Sequence, residues 1–82
     1  MDLVSLTEKI IKSIVLDEDA VSVKEFPSDD ENTILIQVLV SDDDFGRVIG
    51  KGGKTANSIR TLIQASSSLH NKKFVKIDID KF

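Results

Sequence analysis

Apolar residues recur every three or four positions along the first sixteen residues of the chain, with polar residues between them. The apolar positions include Leu3, Leu6, Ile10 and Ile14. This spacing predicts an amphipathic helix with one face turned towards a core. Asp2 is expected to cap its start. The acidic run at residues 17–19 predicts an end near Leu16, because negative charge is unfavourable at a helix C-terminus.

Two extended segments follow this helix. Residues 20–26 carry valines at alternate positions and are closed by Pro27, which predicts a strand. Residues 33–40 are β-branched or apolar on both faces, with Gln37 as the one polar interruption. Such a strand is expected to be buried on both sides or to lie at the centre of its sheet. The polar residues 28–32 between the two segments predict a turn.

The second half predicts two more helices and a last strand. Three aspartates at residues 42–44 suit a turn and the N-cap of a short helix over residues 45–49. A longer helix follows the glycines. Its two apolar stripes are Ala56, Ile59 and Ile63, and Leu62, Ala65 and Leu69. One stripe must face the sheet, while the other either widens the buried face or lines a nucleic-acid groove or partner surface. Residues 75–79 alternate as in a strand.

These elements define a fold class. The predicted order is helix, strand, strand, helix, helix, strand, within a single domain over residues 1–82. The last two strands are joined through helices, so we expect them to pair in parallel with a right-handed crossover, and the first strand to pair as a hairpin neighbour. The sequence therefore predicts an α+β domain of two layers, with a three-stranded mixed sheet covered by helices on one face.

All the glycines of the chain fall within eight positions, interleaved with basic residues. They are Gly46, Gly50, Gly52 and Gly53. A helix is predicted directly after them, so the free N–H groups of the loop would sit at a helix N-terminus, where partial positive charge favours an anion. Lys51 and Lys54 add full charges. The segment is therefore a candidate phosphate-binding loop.

Two better-known phosphate loops do not fit these residues. A Walker A loop ending at Lys54 and Thr55 would require its first glycine at position 48, which is Val48. A dinucleotide fingerprint starting at Gly50 would place its third glycine at Thr55. The remaining pattern is G-x-x-G, from Gly50 to Gly53, and this pattern is similar to the loop with which KH domains clamp the backbone of about four nucleotides.

The distribution of charge supports a polyanionic partner although the net charge is −3. Residues 45–77 contain seven basic side chains and no acidic one, whereas the rest of the chain carries a net −10. The basic residues of this segment are Arg47, Lys51, Lys54, Arg60, Lys72, Lys73 and Lys76. Alternatively, these basic side chains are ordinary solvated surface residues. That explanation does not account for their clustering in the same segment as the glycine loop.

Composition limits the remaining classes of function. The chain has 82 residues and no cysteine, and neither a secretory leader nor an apolar run of membrane-spanning length is present, so a cytoplasmic location is expected. No metal ligand set or cofactor motif is found. Catalysis requires paired acids and bases, and the glycine-loop segment offers only His70. We therefore expect a binding protein rather than an enzyme.

The resemblance extends beyond the glycine loop. Residues 48–59 read V-I-G-K-G-G-K-T-A-N-S-I, which resembles the KH pattern V-I-G-x-x-G-x-x-I-x-x-I with one departure, Ala56 in place of a larger aliphatic residue. An additional helix and strand before the core unit resemble the type II KH arrangement. Over essentially its whole length, the chain is similar to the small stand-alone bacterial KH proteins of the KhpA family.

This resemblance implies particular residues and roles. The implied RNA-binding residues are Arg47, Val48, Ile49, Gly50, Lys51, Gly52, Gly53, Lys54 and Arg60. Residues 67–73 would form a variable lip opposite the clamp. The partners implied are single-stranded RNA and a second KH chain, as a homodimer or a heterodimer. The implied cellular role is that of an RNA chaperone or post-transcriptional regulator affecting cell shape and wall homeostasis.

Two interpretations remain open from the sequence. In the first, the loop and an aliphatic groove bind single-stranded RNA; four phenylalanines and no Tyr or Trp argue against base stacking on aromatic rings. In the second, the side of the last helix that carries Leu62, or an exposed strand edge, makes the chain a dimerisation adapter with weak or vestigial RNA binding.

Overall fold

The helices and strands occur in the predicted order in the computed structural model, which describes residues 2–82. Their bounds are α1 (Leu3–Lys12), β1 (Ser22–Phe26), β2 (Thr33–Val40), α2 (Asp42–Ile49), α3 (Lys54–His70) and β3 (Phe74–Lys81). Two short 3₁₀ turns, Glu18–Ala20 and Lys51–Gly53, lie between these elements. The predicted α+β class is confirmed.

The three strands form one mixed sheet in the order β1-β2-β3. β1 pairs antiparallel with β2, so that Val23 lies opposite Val38. β2 pairs in parallel with β3, so that Ile36 lies opposite Ile77. The predicted hairpin and parallel pair are both confirmed. β1 begins at Ser22, two residues later than predicted, because the chain first completes a 3₁₀ turn.

β2 is the central strand, and its two faces differ in burial. Ile36, Val38 and Val40 are at most 2% exposed and form the core with residues of the helices. Leu35 and Leu39 on the opposite face are only half-buried. The central position explains the apolar composition of the strand, whereas burial on both faces, the other explanation, is wrong for this strand.

α1 ends earlier than predicted for a specific reason. Asp2 caps its start as expected, since its Oδ1 accepts the N–H of Val4 at 3.0 Å. The helix ends at Lys12, however, and not near Leu16. The N–H groups of Leu16 and Asp17 donate hydrogen bonds to the carboxylate of Asp44, both at 3.0 Å. These two donors therefore stabilise a contact with α2 instead of another helical turn.

α2 also begins earlier than predicted. Its N-cap is Ser41, whose Oγ accepts the N–H of Asp44 at 3.2 Å. The aspartates at 42–44 thus occupy the first turn of the helix, where negative charge is favourable. A serine followed three residues later by a carboxylate matches the spacing of a capping box.

α3 buries one of its two predicted stripes and exposes the other. Ala56, Ile59 and Ile63 are at most 3% exposed, whereas Leu62, Ala65 and Leu69 are exposed. A single wide buried face is therefore excluded. The serines at 66–68, which favour a helix end by propensity, lie inside the helix. Ser67 is buried, and its hydroxyl donates to the carbonyl of Lys73 at 2.8 Å, which shortens the connecting segment to residues 71–73.

Candidate nucleic-acid interface

The glycine loop is a surface turn between α2 and α3. Gly50 has φ 76° and ψ 171°, and Gly52 and Gly53 have φ of 64° and 79°. These backbone conformations are unfavourable for residues that carry a Cβ atom. The N–H of Gly53 donates to the carbonyl of Gly50 at 3.1 Å and closes the turn. Lys51 and Gly52 are exposed at its tip.

The two ends of this turn differ in how closely they are packed. A Cβ atom added at Gly50 would lie 2.7 Å from Cβ and 2.9 Å from the backbone nitrogen of Thr55, whereas one at Gly52 would meet nothing within 4 Å. Thr55 therefore lies directly against the backbone of Gly50. The sequence interpretation missed this role of Thr55, although a small β-branched residue directly after the glycines was the available signal. The contact fixes one end of the turn and leaves the tip accessible.

The N-terminus of α3 faces this accessible tip. Its N-cap is Gly53, which has no side chain to accept a hydrogen bond from the first turn. The orphan N–H groups of a helix start attract anions. Lys51 and Lys54 are exposed beside them, and neither takes part in an ion pair of residues 2–82. The N–H of Gly53 already donates to the carbonyl of Gly50 and that of Lys54 to the carbonyl of Lys51, so these two groups are used within the turn, and two available cations lie beside it.

The last turn of α2 places its three predicted site residues differently. Arg47 is about half exposed, and its Nε lies 3.7 Å from the buried carboxylate of Asp44. Ile49 is half-buried beside the loop. Val48 is fully buried, one helical turn after Asp44 on the inward face. The implied RNA contact by the Val48 side chain is therefore wrong for this structure, because that side chain belongs to the core under the loop.

Arg60 lies between α3 and the outer edge of β3. Its Nε donates to the carbonyl of Ile77 and its Nη1 donates to Oδ1 of Asn57, both at 3.3 Å. The residue is exposed, about two helical turns beyond the glycine loop. The structure therefore groups seven predicted residues around the turn, places Arg60 farther along α3 and assigns Val48 to the core.

Asp44 anchors the helix that leads into the loop. Its side chain is 2% exposed and accepts hydrogen bonds from two backbone N–H groups and from the hydroxyl of Ser41. The hydrogen bond from the N–H of Leu16 has the largest effect on this carboxyl, and the bond from the N–H of Asp17 the next largest. Together they hold its pKa below the usual value near 3.8. The sequence interpretation treated this residue only as part of a cap, since the donors lie 28 and 27 positions away.

These observations define a class of protein. The order α-β-β-α-α-β, the parallel pairing of β2 with β3, and an exposed G-x-x-G turn joining two helices are together the features of a type II KH domain.

Comparison with known families reaches the same class and narrows it. The family model described as KhpA/KhpB, KH domain, matches residues 4–79. RNA-binding protein KhpA of Clostridium acetobutylicum is 41% identical over 70 residues, which cover 85% of this chain and 91% of that protein. KhpA of Caldanaerobacter subterraneus subsp. tengcongensis is 40% identical over 74 residues, covering 90% and 95%. The chain belongs to the KhpA/KhpB KH-domain family.

A solved structure supports the fold independently of close sequence similarity. Era, in complex with MgGDPNP and nucleotides 1506–1542 of 16S ribosomal RNA, superposes with a TM-score of 0.68 at 16% identity. The match covers 96% of this chain and 29% of the Era chain. At this identity the likeness concerns the fold alone. Separately, none of the helices in residues 2–82 has the length and hydropathy needed to cross a bilayer.

Proposed function

We propose that this protein binds single-stranded RNA through the turn formed by residues 50–53. Backbone N–H groups other than those of Gly53 and Lys54, which are bonded within the turn, hold phosphate oxygens, and Lys51 and Lys54 neutralise their charge. Ile49 supplies part of an apolar floor for bases, and Arg47 and Arg60 flank the path of the strand. The role is one of binding and not of catalysis.

One observation carries this proposal: the tip of the turn is open while its base is closely packed. A Cβ atom added at Gly52 would meet nothing within 4 Å, whereas Gly50 is covered by Thr55. A ligand backbone can therefore approach the main chain at the tip of a turn whose conformation is already fixed. Preorganisation of this kind strengthens binding because little conformational entropy is lost when the ligand arrives.

The test is the double substitution Lys51→Asp with Gly52→Asp. Both positions are exposed, and aspartate tolerates a left-handed backbone better than most residues, so we expect the domain to stay folded. Two carboxylates at the tip repel phosphate and should abolish binding of a single-stranded RNA in a gel-shift titration. Retention of RNA by this folded double variant would show that the loop is not the clamp.

A matched control separates local charge from total charge. Lys9→Asp with Ser13→Asp changes the net charge by the same amount at exposed positions at the end of α1. If the clamp assignment is correct, this control keeps most of the RNA affinity. An equal loss in both double variants would mean that binding follows net charge only. Urea unfolding of both proteins establishes that each is folded during the titration.

A second function is favoured by the outer surface of α3. Leu62 is 59% and Leu69 is 78% exposed, and they lie seven residues apart, which places them on the same helix face. We propose this face as the surface that pairs with a second copy or with another KH chain. Sedimentation velocity with Leu62→Asp should show loss of the dimer, and RNA titration of the resulting monomer tells whether the two activities are separable.

The cellular role that we propose follows from family membership. A cytoplasmic RNA chaperone or post-transcriptional regulator would act on many transcripts and thereby influence cell shape and wall homeostasis. A strain lacking the gene should be complemented by the wild-type chain and not by the loop double variant, with cell length as the readout. Equal complementation by both would separate the cellular role from RNA binding at the loop.

A further inference from the structure

One face of the sheet remains accessible within residues 2–82. Side chains alternate between the two faces along a strand, and those on the helix side, such as Val23, Ile36 and Ile77, are buried. We call the opposite face the outer sheet face. Its centre consists of two neighbouring rows of exposed or half-buried side chains, one of Phe26, Leu35 and Lys76 and the other of Lys24, Gln37 and Asp78. This face is therefore available to a partner.

The outer sheet face carries opposite charges on its two edge strands. Lys24 on β1 and Asp78 on β3 both pair with Gln37 of β2, so they lie about 10 Å apart across the sheet. Neither side chain takes part in an ion pair within residues 2–82. Asp80 adds a second carboxylate to the same face of β3. Because both carboxylates repel phosphate, this face is unsuited to a polyanion and suits a partner with the same mixture of charges.

A two-fold axis parallel to β2 makes this face complementary to itself. Rotation about such an axis exchanges the positions of β1 and β3, so that Lys24 of each copy faces Asp78 of the other. Lys76 then faces the ring of Phe26, which is a favourable cation–π arrangement. Leu35 lies close to the axis and faces its own equivalent, which adds an apolar contact at the centre. A two-fold contact between identical chains requires this kind of self-complementarity.

The charges disfavour the other two-fold arrangement with aligned strands. Sheets that pack face to face keep their strand directions within about 30° of each other, so the axis runs either along the strands or across them. An axis across the strands at Gln37 places Lys24 opposite Lys24 and Asp78 opposite Asp78, and like charges directly opposite are destabilising. Although Lys76 would then face Asp80, the two like-charge contacts offset this gain. The axis along β2 brings no like charges together.

The size of the face determines how strong such a contact is. Three strands about 4.8 Å apart, with eight residues of about 3.3 Å each in the longer ones, cover roughly 14 Å by 26 Å. Two copies therefore bury roughly 700 Å² in projection, whereas a specific interface of standard size buries about 1,600 Å². We expect a weak, reversible pair that is populated at high protein concentration.

We propose that the outer sheet face pairs with a second copy of this chain about a two-fold axis parallel to β2. The helices that lead into and out of the glycine loop lie on the other side of the sheet, so both loops stay exposed in the pair and present two RNA sites together. The outer surface of α3 also stays free, so this contact is distinct from the pairing through Leu62 and adds a second interface to it.

The test exchanges the two facing charges in the Leu62→Asp variant, in which only the outer sheet face is left to pair. Sedimentation velocity from micromolar to millimolar concentration should show a reversible monomer–dimer equilibrium. Lys24→Asp or Asp78→Lys alone should weaken the dimer at least about 4-fold, because two surface ion pairs are replaced by two repulsions of similar size. The double exchange restores opposite charges and should restore the dimer. Lys9→Asp on α1, which changes the net charge as Lys24→Asp does, should leave the dimer intact.

Cross-linking gives an independent readout of the axis. The chain contains no cysteine, so Gln37→Cys introduces a single thiol at a half-buried position on the outer sheet face. Packed sheets lie about 10 Å apart, and a bismaleimide of that span should therefore join two copies through position 37. Lys9→Cys places the thiol at an exposed position of α1 instead and should give mainly monomers under the same conditions.

The outcomes separate this contact from the RNA-binding function, because none of these measurements uses RNA. If the Leu62→Asp variant stays monomeric up to millimolar concentration, or if the double exchange does not recover the association that the single variants lose, the contact is refuted. Equal cross-linking at positions 37 and 9 would indicate random collisions and would also refute it. Urea unfolding establishes that each variant is folded. Recovery by the double exchange, together with cross-linking confined to position 37, supports the contact.

Discussion

Substitution of Gly50 by alanine tests whether the loop geometry is the basis of the site. With φ 76° and ψ 171°, Gly50 lies in a backbone region essentially restricted to glycine, where a residue with a Cβ costs on the order of 1–3 kcal/mol. The added methyl group would also overlap Thr55, with 2.9 Å to its backbone nitrogen, and overpacking adds roughly 1–3 kcal/mol. Gly50→Ala should therefore lower the free energy of unfolding by about 2–6 kcal/mol.

The other glycines provide internal controls for this magnitude. Gly52→Ala places a methyl group in open space at φ 64°, so only the left-handed conformation is unfavourable, at about 1 kcal/mol. Gly46 lies inside α2 with nothing within 4 Å of an added Cβ. Gly46→Ala should therefore stabilise the domain by up to about 1 kcal/mol. The predicted order of stability places the alanine at 46 first, then 52, then 50.

The assay is urea unfolding followed by circular dichroism, with the slope m compared between variants. A domain of this size is stable by roughly 4–12 kcal/mol, so the loss in Gly50→Ala is a large fraction of the total and should lower the melting temperature by at least about 8 °C. Adding Thr55→Ala should recover only part of the loss, because the overlap with the backbone nitrogen remains. Equal stabilities for the variants at 50 and 52 would refute the packing of the loop described above.

Four further predictions follow from the packing around the site. The free energy of unfolding should fall as the pH falls through the depressed pKa of Asp44, because protonation removes the charged acceptor of two N–H groups. In unfolding measured between pH 7 and pH 2, Asp44→Asn should reduce this loss of stability at low pH. Lys72→Gly should raise stability by about 0.5–1 kcal/mol by relieving the left-handed conformation at φ 57°, measured by thermal unfolding. Gln64→Ala should cost about 1–2 kcal/mol through the unpaired N–H of Val75, visible as faster hydrogen exchange of that amide. Val48→Ala should cost about 2 kcal/mol in urea unfolding and leave the RNA affinity of the folded protein nearly unchanged.

The fold and the loop were predictable because several independent signals coincide in the sequence. The parallel pairing of β2 and β3 follows from two helices lying between them in the chain. The loop follows from glycines placed between two helical patterns, with aliphatic residues before them and lysines among them. Each signal is local, and each describes backbone geometry. Sequence patterns are most informative about local backbone geometry. Here the glycines, the aliphatic residues and the two helical patterns all indicate a loop at residues 50–53.

The parts that could not be predicted depend on contacts between distant residues. The end of α1 is decided by Asp44, which lies 28 positions after Leu16. Val48 is buried and Ile49 is only half-buried because of the way α2 is oriented over the sheet. The four-residue spacing from Asp44 to Val48 was nevertheless a usable signal that both lie on the inward face. The exposure of Phe74 depends on where β3 begins, which is decided by hydrogen bonds from α3 to Lys73.

Backbone geometry and charge have separable roles in this molecule. The glycine conformations and the contact with Thr55 give the loop its shape, and the same shape could hold any small anion. The loop lysines, Lys51 and Lys54, have no carboxylate partner within residues 2–82, while the acidic remainder of the chain lowers the net charge to −3. In the proposed function, the cations at the loop attract a polyanion locally, without the large net positive charge that would promote nonspecific binding.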